Sequence, residues 1–167
     1  MNSFKKSPLR LLLLFLLTMQ VCHGQNWTVS DNIDQQTGRR QCILQSRSLS
    51  LFDGYDRTNI QLKISQDRLL VKTDSNIDAT GDTLKINIDN NKKQFTGSLS
   101  NKTDIVFEQN FEQLISQSIA GNELVISLQF WPTWPNTRVY QASFSLIGFT
   151  KALKGYHECL EKSVEPL

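Results

Sequence analysis

Apolar side chains recur at every second position over much of this chain, the signature of strands with one buried face. Residues 58–65 put Ile60, Leu62 and Ile64 on one side. Residues 68–73 resume the alternation after Gln66-Asp67, which predicts a hairpin. Residues 42–52 (CILQSRSLSLF) read as one strand that ends in the turn chemistry of Asp53-Gly54-Tyr55-Asp56. A short strand at 27–30 precedes a polar turn at 31–38. Leu84, Ile86 and Ile88 alternate until Asn90-Asn91. Residues 95–99 form a weaker strand and residues 103–107 a better one. Strands about ten residues apart with turns between them predict a sandwich or a barrel-like sheet.

Two stretches switch to helical spacing. Phe111, Leu114, Ile115 and Ile119 line one face behind Asn110, which with Gln113 three residues on makes a capping-box pattern; Gly121 supplies a stop. Phe149, Ala152, Leu153, Tyr156 and Leu160 predict a second helix over 149–160, weakened at Gly155 by up to about 1 kcal/mol relative to alanine. Residues 122–160 thus read as two strands joined by a Trp/Pro turn and followed by a helix. The expected class is mostly β (α+β by count), an antiparallel β-sandwich or barrel-like sheet with two short helices, the last one C-terminal.

The first 24 residues stand apart. Lys5, Lys6 and Arg10 precede the apolar run 11–17, and Gly24 offers a small residue, the pattern of a secretory signal peptide cleaved after Gly24. The apolar run is far shorter than the roughly 20 residues of a membrane span. Residues 25–167 are then a single exported domain with no transmembrane anchor. Of 18 basic residues, three leave with the signal. That puts 15 against 16 acidic ones, a net charge of −1. Basic and acidic side chains are interspersed, so no nucleic-acid surface is expected.

Cys22 also leaves, so Cys42 and Cys159 remain, and two thiols in an exported chain are expected to pair. His157 is the one histidine left. Two residues from Cys159 on a helix, it points elsewhere, which argues against a Cys/His dyad. The oxygen-rich run 74–82 has calcium-loop spacing, but Ala79 stands where the tight-turn glycine belongs and Lys85 where the final acid belongs. No metal and no cofactor is expected. Asp53 and Asp56 are the best carboxylate pair for acid/base work, although turns favour Asp for their own reasons. Asn26-Trp27-Thr28 and Asn101-Lys102-Thr103 match the N-glycosylation triplet, which would be silent in a bacterium.

The most functional-looking feature is Phe130-Trp131-Pro132-Thr133-Trp134-Pro135. Phe130, Trp131 and Trp134 near a proline-stiffened turn suit a rigid aromatic surface for a protein or glycan. The other reading is that one or both indoles cap the open end of the core.

Residues 144–153 (FSLIGFTKAL), which follow a strand pair and lead to Cys159, resemble the F-S-L-x-G-F-x-x-A-L segment of the invasion-associated locus B family of small periplasmic proteins. The likeness covers the C-terminal segment. A separate exported bacterial family with the same C-terminal unit is the other reading. The resemblance implies a periplasmic sandwich-like fold and brings no catalytic residues with it. The function expected is a periplasmic or secreted, non-enzymatic binding or accessory role in the cell envelope, with an envelope protein or glycan as partner. A carboxylate-dependent hydrolase of envelope material and a purely structural component are the alternatives.

Overall fold

A computed structural model describes residues 25–33, 40–91, 93–132 and 138–164. The signal-peptide reading of residues 1–24, most of the polar turn at 31–38, and Thr133, Trp134 and Pro135 lie outside the described residues. In chain order the elements are β1 (Trp27–Ile33), β2 (Arg40–Ser46), β3 (Leu49–Phe52), β4 (Arg57–Ser65), β5 (Arg68–Thr73), β6 (Ile77–Asp78) and β7 (Lys85–Ile88). Then come β8 (Gln94–Thr96), β9 (Ser98–Leu99), β10 (Asp104–Phe107), α1 (Phe111–Ala120), β11 (Glu123–Phe130), β12 (Tyr140–Ser145) and α2 (Phe149–Val164).

All the described pairings are antiparallel and make two sheets. One runs β1-β2-β4-β5-β10-β9, with β3 also on β4; the other runs β12-β11-β7-β8, with β6 also on β11. Neither closes into a barrel. Their buried faces feed one core, in which Leu44, Ile60, Leu62 and Val71 of the first sheet join Ile86, Ile88, Leu124 and Ile126 of the second. That is the expected class, in its sandwich-like form.

The strand read over 42–52 is two strands. β2 pairs Leu44 with Ile64, whereas β3 pairs Leu49 with Ile60, so one extra residue lies on this side of β4. Inward positions shift from even to odd numbers at this bulge. Buried Ser46 repairs the ladder: its Oγ accepts the Leu62 N–H at 3.0 Å.

The weak strand at 95–99 also divides, and the two halves belong to different sheets. β8 pairs with β7 and β9 with β10, so the chain crosses between sheets at Gly97. A Cβ there would lie 2.7 Å from Ile105 Cγ2 and 2.7 Å from Phe107 Cζ, both deep in the core. Gly97→Ala should therefore destabilise the protein by about 1–3 kcal/mol through overpacking, measured by urea denaturation. An unchanged midpoint would mean that this crossing is not tightly packed.

The capping box does not form. Asn110 sits in the left-handed region (φ 57°) and its side chain caps nothing, while Gln113 accepts a hydrogen bond from Lys93 instead. Gly121 does end α1, but in extended backbone. Glycine is needed there because a Cβ would come 2.5 Å from Ile88 Cγ2.

α2 is one turn longer than the expected 149–160. Phe149, Leu153, Tyr156 and Cys159 face inward, and the helix packs on β1 and β2. At Gly155 an added Cβ would make only ordinary contact with Val29, at 3.7 Å. The Tyr156 hydroxyl accepts the Gln66 N–H at 2.8 Å, and burial pushes its phenol pKa up. Cys42 on β2 and Cys159 on α2 form the expected disulfide, with Cα atoms 6.0 Å apart. Among the described residues no helix is long and apolar enough to cross a membrane.

Candidate functional site

Of the three aromatic contact residues expected from sequence, the fold separates two and the third, Trp134, lies outside the described residues. Phe130 is only 4% exposed and packs against Tyr140 with ring centroids 5.5 Å apart. It belongs to the core, because the alternation of β11 turns its even-numbered side chains inward, and it is not a contact residue. Trp131, the next residue, is 61% exposed. Its peptide bond to Pro132 is cis.

Trp131 stands at the rim of a groove of about 570 Å³ between the two sheets. Its backbone N–H donates to Asn76 O at 2.9 Å, and Ile77 N donates to Lys102 O at 2.7 Å. Residues 76–78 therefore bridge the β9–β10 turn on one side and the end of β11 on the other, where Ile77 pairs with Phe130. Ile77 and Leu99 supply the apolar lining, with Ser100 and Lys102 beside them.

Hydrogen bonds tie the far wall of the groove together. Asn101 Oδ1 accepts from Thr103 N at 2.8 Å, and Asn101 Nδ2 donates to Asp104 Oδ2 at 2.8 Å. Lys72 Nζ reaches the same carboxylate at 2.7 Å. Burial alone would push the Asp104 pKa up, but the hydrogen bonds from Lys72, Asn101 and Thr103, with the Lys72 charge, hold it below the usual carboxylate value. Because Asp104 is buried and satisfied, the described residues left to line the groove carry one cation, Lys102, and no carboxylate. With an indole beside it, such a groove offers a stacking surface, apolar contact and one positive charge.

The carboxylates read as candidates each accept a hydrogen bond or form an ion pair within the fold. Asp53 accepts from Tyr55 N, Asp56 N and Ser75 Oγ, at 2.8, 2.8 and 2.6 Å. Burial opposes its ionisation, but these hydrogen bonds prevail and lower its pKa. Asp56 accepts the N–H of its neighbour Arg57 at 2.7 Å. Both are turn-formers. In the run at 74–82, Asp78 is buried and holds Thr80 N and Oγ1 at 2.8 and 2.7 Å, and Asp82 pairs with Lys85. His157 lies exposed against Tyr156, and Cys159 is in the disulfide. Asp31 approaches that disulfide and pairs with Arg40 at 3.5 Å.

The sequence names Trp131 as a candidate contact but carries no sign of the residues around it. Asn76, Ile77, Leu99 and Lys102 meet it only through the pairing of β6 with β11 and the position of the β9–β10 turn, and no local pattern carries that.

No protein-family model matches this chain, and no curated protein matches it either. Its fold is similar to the crystal structure of invasion associated protein B from Bartonella henselae, with a TM-score of 0.58 and 15% identity over 82% of this chain and 94% of that one. The likeness to that protein is one of fold over most of the chain, without a sequence-family match.

Proposed function

We propose that this protein is an exported, non-enzymatic binding or accessory protein of the bacterial cell envelope, and that it meets its partner through Trp131 and the adjoining groove. The observation that carries the reading is the contrast between neighbours: Phe130 is buried, while Trp131 holds a large apolar ring in solvent beside a walled groove. An exposed aromatic anchored at its backbone loses little freedom on binding, which favours its use as a contact. Export is supported by the N-terminal basic/apolar pattern and by the disulfide, which suits an oxidising compartment. The resemblance to a periplasmic family and the shared fold agree with it. The partner is an envelope protein or glycan.

In-cell cross-linking followed by pull-down tests this. Trp131→Ala should melt within about 1 °C of wild type, since an exposed ring adds little stability, and should lose the wild-type partner. A folded variant that keeps that partner would remove Trp131 from the contact. A variant that unfolds would show the ring to be part of the core.

A further inference from the structure

The second sheet ends in β12, whose outer edge has no strand partner among the described residues. Leu146 N donates to Asn122 O at 2.8 Å and Asp89 N to Glu123 O at 3.1 Å, which sets the parity of the ladder. In β12 the even-numbered residues bond to β11, so the main-chain groups of Gln141, Ser143 and Ser145 point outward. Trp27 confirms this by donating its indole N–H to Ser145 O from outside the sheet, at 2.8 Å. Among the described residues, none bonds to the N–H and C=O groups of Gln141 and Ser143 on that edge.

Three of the other edges are protected in ways sheet proteins use, whereas β3, paired on β4 alone, is a four-residue edge without charge or proline. β1 carries Asp31 in an ion pair with Arg40, β8 is three residues beside exposed Lys93, and β9 is two residues. The six residues of β12, YQASFS, contain no charge and no proline.

We infer that this edge pairs with the same edge of a second copy, antiparallel about a two-fold axis at Ala142. Gln141 of each copy then opposes Ser143 of the other and exchanges two hydrogen bonds with it, four in all. The side chains are complementary as well. Gln141 meets a serine on the polar face, Tyr140 lies opposite Phe144 on the core face, and no like charges meet. A register centred on Ser143 is blocked, because it would need the Ser145 carbonyl that Trp27 occupies. Apolar side chains at the two ends of the strand reinforce the choice of a second copy. Phe52 and Val139, 55% and 44% exposed, flank the start of β12, and Ile147, 74% exposed, follows its end. Antiparallel pairing brings the end of one β12 to the start of the other. The product is one sheet continuous through both copies.

Sedimentation equilibrium of the purified protein should give twice the chain mass. Ser143→Pro should weaken the dimer at least about tenfold, while the monomer ladder survives because the N–H it removes points outward. Should that variant fail to fold, amide exchange on the wild type decides: protection at Gln141 and Ser143 should rise with protein concentration. A wild-type monomer at high concentration, a dimer indifferent to Ser143→Pro with unprotected edge amides, or a monomer whose edge takes up only a peptide of another protein would each overturn the inference.

Discussion

Removing the Cys42–Cys159 bridge, by reduction or by paired serine substitutions, should lower stability by roughly 4 to 5 kcal/mol. The bridge spans a separation of 117 residues, most of the described chain, so cutting it frees a very large loop in the unfolded state. The native state should change little. α2 would still bury Phe149, Leu153 and Tyr156 against β1 and β2, and both sulfurs already sit in that interface. The expected picture is therefore a reduced protein with the same β circular dichroism at low temperature and a melting point lower by about 10–20 °C. A shift of only a degree or two would mean that helix packing alone fixes the C-terminal unit. The dependence also fits the proposed export, since a reducing compartment would remove this stabilisation.

Trp27→Ala should have the next largest effect, a loss of about 3–5 kcal/mol. Trp27 is 4% exposed and joins three parts of the fold. It belongs to β1 of the first sheet, its Nε1–H donates to Ser145 O at the end of β12 in the second, and its ring meets Phe149, the first residue of α2, edge-on at 4.8 Å. Trp27→Phe separates the contributions. It keeps most of the apolar area and removes the donor, so it should lose about 1–2 kcal/mol. Chemical denaturation of the two variants measures both. Equal losses would assign the effect to the hydrogen bond, and a loss below about 1 kcal/mol for alanine would contradict a linking role.

Much of the fold was legible because alternation is a local property. The hairpin at Gln66-Asp67, the strand at 58–65 and the inward face of α2 follow from spacing alone. The disulfide followed from cysteine number and the expectation of export. Two errors had the same cause, a strand read as continuous where it changes partner or phase. Leu44 and Leu49 are five residues apart, an odd spacing that cannot keep both on one face of an unbroken strand, so the bulge had a signal that was available in the sequence. At Gly97 the signal was the glycine itself, which inside a strand pattern marks a bulge or a close approach. Asn110 illustrates an ambiguity, because asparagine suits both an N-cap and the left-handed region, and here the tertiary fold chose the second. For the candidate site, the sequence reading groups Phe130 and Trp131 together as contacts, although period 2 along β11 carries a signal that separates them, one inward and one outward. The groove beside Trp131 had no such signal, since it is made by residues distant in the chain.

The most direct test of Trp131 as a contact places a photo-activatable residue at position 131 and, separately, at Lys102 and at Ile119, an exposed position on α1 away from the groove. Irradiation in cells should give the same discrete adduct from positions 131 and 102 and none from 119. An adduct from 119 equal to that from 131, or adducts from 119 alone, would contradict a contact surface centred on Trp131.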